Sequence, residues 1–496
     1  MLGLWKMKED GVNVLSTITI YKNKKEMAKK RKGILNGNGS STNETIYDKN
    51  ISDFLNGEYM DYVMYVLANR AIPSMVDGLR TGARKILHAA LTGPFKNGKP
   101  DKLTSLVGDT FRISLYPHGD ASLYGTISEM SAFFKDNLNP LEIDGQGGTL
   151  RNVNAVAAPR YLYILLSKYA KLIYGIDWDL LEHIYDEGQY LEPKFYLPII
   201  PTILTGCKST IGIGYASSCF AYNPLHVIDA CLFNLISGET PDIRSIQPYI
   251  RGCKPYNFKF NEDKWRWESF GEFVISGDRI DVTDLPYDVQ YSGYESHLNS
   301  LQEAEFIQEW ENDSVDDKIC YRLYFAKGQV EKLTSNMESL IKRLKLITTV
   351  EKDNLTLLSP EQKLVYFNNC AELIPEFVKY RITIYEERKT KLVNALNEKI
   401  RQQSILAKFI ELVITKKLVI ANQEIDIVKH KLKEYELPES VLDLKISKIT
   451  KTEYESILKK IKSLNDELQY ILDTTPKQMY INDLVTLHNA LEEDFK

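Results

Sequence analysis

After Gly328 the chain contains no glycine, and between Pro375 and Pro438 it contains no proline. These two residues most readily end a helix, so a run this long without them is more than one ordinary helix. Leu396, Ile400, Phe409 and Leu412 keep a loose helical period through it. The spacing predicts a pair of long antiparallel helices, with a compact region from Leu437 to Thr450 between the outgoing stretch and a returning Glu453 to Leu472. Such a pair is either part of a plain bundle or a protruding arm whose tip makes a dimer contact.

Upstream the texture differs. In residues 1–50, Val14, Ser16, Ile18 and Ile20 alternate as in one short strand. A basic run from Lys22 to Lys32 follows, and then a flexible linker, Asn36 to Thr42. The basic run reads as a solvated arm or as an auxiliary contact to DNA phosphate.

Residues 51–175 read as a compact helical domain. Tyr59 to Leu67 is a predicted helix ended by the turn Ala71 to Leu79. The next, Arg80 to Leu91, should turn Ile86, Leu87 and Ala90 inward and Arg84 and Lys85 outward. Another helix covers Leu103 to Ile113, and Tyr116-Pro117-His118-Gly119-Asp120 is a tight turn. Asp120 or Ser122 is positioned to cap a helix through Ile127, Met130 and Phe134. Two short helices joined by a turn are the pattern of a helix-turn-helix DNA reader. After the loop Asp144 to Thr149, Tyr161 to Leu166 is rich in strand formers and Ser167 is a candidate N-cap. Residues 176–350 read as mixed α/β, with strands at Glu272 to Ser276 and Ile319 to Phe325, and residues 351–496 as the helical arm. The expected class is α+β, mainly α.

A formal net charge of −5 offers nothing to nucleic acid globally, so any DNA surface must be local. Six scattered cysteines without a Cys-x-x-Cys pair argue against a zinc site or a disulfide framework. No apolar run has the length of a membrane span and no signal-peptide layout opens the chain, so the expected location is cytoplasmic, with no membrane partner.

Gly93 to Lys99 has phosphate-loop spacing, but Pro100 stands where Ser or Thr must bind magnesium, and it resists the helix that should start there. No acidic cluster in residues 51–175 resembles a magnesium site, so no metal ligand is assigned. The set that survives is Arg70, Arg84, Lys85, His118, Arg160 and Tyr161. The composition includes 30 tyrosines, so a tyrosine alone means little. A phenol titrates near ~10 and is a weak nucleophile at neutral pH. Guanidinium groups stabilise both the phenolate and the charge that builds on a phosphate in the transition state, and an adjacent imidazole accepts the phenolic proton.

Several motifs then converge. The run Arg70 to Arg80, followed by Arg84-Lys85, resembles the opening of the type IIA DNA topoisomerase cleavage domain. Its Ile72-Pro73-Ser74-Met75-Val76-Asp77-Gly78-Leu79 wording is closer to eukaryotic topoisomerase II than to gyrase. Tyr116 to Asp120 resembles the family's recognition-helix turn, Pro159-Arg160-Tyr161 its active-site pair, and Thr210 to Gly214 the loop of its DNA-wedging isoleucine. Leu285-Pro286-Tyr287 resembles the tower, and Leu442 to Thr450 the dimer gate.

The resemblance implies a winged-helix DNA-gate domain (51–175), an α/β tower (176–350) and an antiparallel coiled-coil arm ending in a dimer gate (351–496). It implies that Tyr161 forms a 5′-phosphotyrosyl link while Arg160, His118 and Arg70 polarise the phosphate. Arg80, Arg84 and Lys85 would bind flanking backbone and Ile211 would intercalate. A homodimer would then break both strands of one duplex and pass a second through, relaxing or decatenating DNA.

An ATPase domain and the family's Glu-Gly-Asp-Ser-Ala metal motif are not found in the sequence. Mg2+ and ATP are therefore expected on partner subunits in trans, as in gyrase and large tailed bacteriophages, whose topoisomerase medium subunit is nearest in layout; the location would then be the infected host's cytoplasm. Without gyrase's wrapping domain, net negative supercoiling is not expected. Ala121 and Gly125 stand where gyrase anchors fluoroquinolones, which implies a weak drug response. The residues alone also fit a non-cleaving helix-turn-helix dimer, or a recombination-type enzyme that leaves 3′ covalent ends.

Overall fold

The computed structural model describes residues 50–495 apart from 316–317, 420–422 and 444–449. The basic arm of the first 49 residues and most of the Leu442 to Thr450 stretch thus lie outside the described residues. The chain packs as two units, one of Met1–Val378 with Leu487–Lys496, the other of Lys379–Thr486.

The first unit opens with a helical run over 51–71 in which two π-helical turns, Leu55–Tyr59 and Leu67–Ala71, interrupt the α geometry. It ends because Ile72 is extended (φ −91°, ψ 129°), the conformation a residue before proline prefers. Val63, Leu67, Ala71 and Ile72 pack against Leu358.

Three helices follow, Thr81–Thr92, Leu103–Ser114 and Asp120–Ser131. Ile86, Leu87 and Ala90 are fully buried, as their spacing predicts. The Asp120–Ser131 helix starts after Gly119 without a side-chain cap, so neither Asp120 nor Ser122 takes that role. The Gly93–Lys99 stretch forms a 3-10 turn, Pro94–Asn97, and no helix begins until Leu103. A three-stranded antiparallel sheet completes the layer, with Tyr163–Leu166 between Asp101–Lys102 and Leu141–Asp144. Ser167 caps the next helix, Lys168–Tyr174, accepting from the backbone N–H groups of Tyr169 and Ala170.

Further along, a four-stranded antiparallel sheet runs in the order Glu272–Ser276, Arg279–Asp284, Tyr321–Tyr324, Glu309–Asn312. Its inner face, Ile280, Val282, Tyr321 and Leu323, packs on Tyr294, Leu298 and Leu301 of the helix Tyr291–Glu303.

From the glycine-free stretch comes one long helix, Cys370–Ile414, with Pro375 inside it at the sixth position, where the missing N–H forfeits one i to i−4 hydrogen bond. In the second unit the return is antiparallel: Tyr385 stacks on Tyr480 at 4.9 Å, and Lys389 donates to the carbonyls of Leu472 and Thr474. It comprises two helices, Lys451–Asp473 and Pro476–Phe495, because Pro476 cannot continue the first. At the far end Phe409, Ile410, Leu432, Val441 and Ile457 form a separate apolar cluster. Among the described residues no helix is long and apolar enough to cross a membrane.

Candidate active site

Arg70 ends the first helical run, its guanidinium carbon 5.6 Å from the centre of the Tyr65 ring. Leu115 closes the Leu103–Ser114 helix in the left-handed conformation (φ 45°), unusual for a residue with a branched side chain. That reversal presents Tyr116, Pro117 and His118 to the same cleft, about 520 Å3 in volume, lined also by Arg70, Arg80 and Lys85. His118 is exposed, yet partial burial and then the charge of Arg70 hold its pKa below the ordinary histidine value. It is consequently neutral at neutral pH and free to accept a proton. The Tyr116 hydroxyl is engaged with Ser122 at 2.7 Å.

Two cations expected on the outer face of the Thr81–Thr92 helix are not there. Arg84 is buried, donating to both carboxylate oxygens of Asp77 at 2.8 and 2.9 Å and to the Leu79 carbonyl at 3.0 Å. Asp77 in turn accepts from the backbone N–H groups of Leu79 and Tyr196. The outward, DNA-binding reading of Arg84 is thus corrected: a carboxylate without solvent has taken its donors. Lys85 is half-buried, with its ammonium 2.8 Å from Glu192 and 2.5 Å from the Ser114 carbonyl. It faces the cleft but is already paired, so it is not a solvated outer-face lysine. Neither Asp77, quoted only as part of a motif, nor Glu192 was expected as a partner from the sequence; the Asp77-Gly78 turn seven residues before Arg84 is the local signal.

Tyr161 and Arg160 do not line this cleft. They form a 3-10 turn, Pro159–Tyr161, in which the Tyr161 N–H reaches the Ala158 carbonyl at 2.9 Å. Buried Leu162 and Ile164 anchor the strand behind it. Gly145 (φ 120°) passes beneath, where a Cβ would stand 3.1 Å from the Leu162 side chain and 3.5 Å from the Tyr161 carbonyl, so the glycine-rich loop allows that close approach. The Tyr161 side chain is 64% exposed, and the Arg160 guanidinium lies 4.9 Å from its ring centre. A tyrosine so exposed takes no part in the core, and its ring and hydroxyl are open to solvent.

Ile211 ends the strand Lys208–Ile211, which pairs with Ala216–Cys219. It is 84% exposed, more than any other large apolar side chain described. The hairpin tip presses on the first helical run: a Cβ on Gly212 would stand 2.7 Å from Leu67 and 3.1 Å from Ala71.

The cleft does not suit a divalent cation, since its charged donors are mostly cationic. Among the described residues no group of three or more His, Cys, Asp or Glu side chains is arranged to hold a metal.

Residues 70–488 match the family model for the A subunit of DNA gyrase/topoisomerase IV. The chain is 27% identical over 462 residues to a mitochondrial DNA topoisomerase 2 of Dictyostelium discoideum, covering 90% of this chain and 35% of that protein. It is 30% identical over 394 residues to DNA topoisomerase 2 of Arabidopsis thaliana, covering 76% and 26%. Among solved structures, the Plasmodium falciparum topoisomerase II DNA-binding, cleavage and re-ligation domain superposes with a TM-score of 0.75 at 26% identity, covering 95% of this chain and 68% of that one. The chain spans about a quarter to a third of the length of these curated relatives.

Proposed function

The chain belongs to the family of DNA gyrase/topoisomerase IV A subunits, and from that premise we propose that it cleaves and religates DNA within a type II topoisomerase. The observation that carries this is Tyr161: an exposed phenol on a 3-10 turn, with Arg160 against its ring.

In the proposed reaction the Tyr161 hydroxyl oxygen attacks a backbone phosphorus. A tyrosyl O–P bond forms, the P–O3′ bond breaks, and the 3′ oxygen leaves as a hydroxyl after taking a proton. The phenolic proton passes to neutral His118, while Arg160 and Arg70 stabilise charge on the phosphate oxygens; one such donor is commonly worth about 3 kcal/mol. The new phosphodiester keeps the bond energy, so the reverse attack reseals the strand. No step is routed through a metal, because the residues here do not fit one.

Tyr161 and the Arg70–His118 cleft lie apart in one copy, which supports a composite site in which Tyr161 of one copy serves the cleft of a second. Two such sites would cut opposite strands of one duplex and let another pass. Arg80 and Lys85 would border the bound backbone. Ile211 would wedge between base pairs, a deformation costing a few kcal/mol and offset by further contacts.

In this reading the three helices and three-stranded sheet of residues 51–175 are the winged-helix gate, the sheet and helices of 176–350 the tower, and the antiparallel helices of 351–496 the coiled-coil arm with a terminal dimer gate. ATP and Mg2+ belong to a companion ATPase and metal-binding chain, as kinship with the gyrase A subunits implies. The eukaryote-like wording of Ile72 to Leu79 in a chain of that family supports a divided enzyme of the tailed-bacteriophage kind, working in the host cytoplasm.

Denaturant trapping of end-labelled duplex, with the co-purified companion chains and Mg2+, tests the proposal. Protein should attach to 5′ ends, and Tyr161→Phe should abolish attachment. Linkage at 3′ ends would overturn the polarity. Attachment that survives the substitution would remove Tyr161 as nucleophile, and shifted DNA mobility without any linkage would favour the non-cleaving dimer.

A further inference from the structure

Sharing Arg80, Ala83 and Thr126 with the cleft lies a second hollow of about 290 Å3 between the Thr81–Thr92 helix, the Asp120–Ser131 helix and the Lys208–Ile211 strand. We propose that this hollow binds a compact, ring-sized apolar molecule carrying one negative charge.

Its walls are apolar, from Pro73, Leu79, Ala83, Met130 and Pro140. Three cations, Arg80, Lys135 and Lys208, meet only two carboxylates, Glu129 and Asp136. All three pairs are loose: Arg80–Glu129 spans 3.7 Å, Lys135–Glu129 3.6 Å and Lys208–Asp136 3.5 Å. On the neighbouring helix Arg84–Asp77 and Lys85–Glu192 each close to 2.8 Å. The slack has a cause. Asp136 is fixed through Oδ1, which accepts from the Thr205 hydroxyl and the Leu138 N–H, both at 3.1 Å, and its Oδ2 stands 3.5 Å from the Lys208 ammonium. The Lys208 ammonium reaches only the Gly78 and Thr202 carbonyls besides, at 3.4 and 3.3 Å. A lysine on an apolar wall with three long contacts has room for one short, charge-assisted bond to an anion. Cavities of roughly 150 Å3 accept benzene, so this one has the size for a bicyclic ring.

The test is calorimetric titration of the full chain with 2-naphthoate and with its neutral counterpart, 2-naphthamide. Naphthoate should bind about tenfold tighter, the size of one charge-assisted hydrogen bond. Lys208→Gln should erase that difference while leaving the amide's affinity unchanged; Lys208 does not line the cleft, so the variant also separates the two sites. Met130→Trp, which fills the hollow, should remove both ligands; Ala83→Leu serves if the tryptophan variant melts early. Equal affinity for the two probes, no binding of either, or naphthoate binding indifferent to Lys208→Gln would each overturn the proposal.

Discussion

Arg84 and Arg70 are the same residue type within one region, yet they do opposite things. Arg84 neutralises a buried carboxylate, so Arg84→Ala should destabilise the protein by about 3–5 kcal/mol, the cost of stranding Asp77 without its partner. Arg84→Lys should recover little of it, since an ammonium cannot bridge both carboxylate oxygens. Chemical denaturation midpoints measure both. Arg70 instead sits exposed near His118 and, after partial burial, is the second cause that lowers its pKa. Arg70→Gln should therefore raise the His118 titration midpoint toward the ordinary value near ~6.5, followed by NMR of histidine-labelled protein without DNA. His118→Ala should slow DNA cleavage by about 10²–10⁴-fold under the proposed mechanism, read as the rate of 5′ attachment. The grouping of Arg70 with His118 was legible from motif chemistry, and the two do line one cleft. The confinement of Arg84 was not, because the helical pattern of its neighbours says which face is apolar and nothing of a buried acid waiting there.

At the level of elements, the Thr81–Thr92 helix carries a further consequence. His88 lies buried against the His183 ring at 5.5 Å, and burial, then His183, then Lys85 push its pKa down to about 4. The folded value lies below the unfolded one near ~6.5, so the unfolded chain takes up the proton first. The contribution is whole above about pH 6.5 and is lost as the pH falls toward 4, a decrease of roughly 3 kcal/mol. Denaturant midpoints between pH 4 and 7 should fall steeply in the wild type and less in His88→Gln. Element placement was otherwise largely legible. Helices at 81–92 and 103–114, the Ser167 cap and the long Cys370–Ile414 helix all follow from periodicity, capping and missing breakers. The break before Pro476 follows from the proline itself, whereas the uncapped start at Asp120 follows from local backbone geometry, which residue type only biases.

On the scale of the whole molecule, the separation of Tyr161 from the Arg70–His118 cleft yields a test of the composite site. Tyr161→Phe and His118→Ala proteins, each impaired alone, should regain single-strand cleavage when unfolded together and refolded as a mixture. A mixed dimer with sites shared across copies holds one intact pair. If each copy instead completed its own site, mixing would restore nothing. Gel assays of nicked circles distinguish the two outcomes.

The sequence by itself determined the long Cys370–Ile414 helix, the apolar faces of the short helices and the chemistry on offer: a tyrosine beside an arginine, an imidazole on a turn, an isoleucine on a glycine-flanked hairpin. Those follow from interactions within a few residues. Which cations stay free and which are spent was decided only by tertiary structure, because their partners are remote: Glu192 lies 107 positions from Lys85, and the Tyr196 N–H that shares Asp77 lies 119 from it. Charge in a sequence is a count, whereas charge available to a phosphate is what remains after the fold has paired its own.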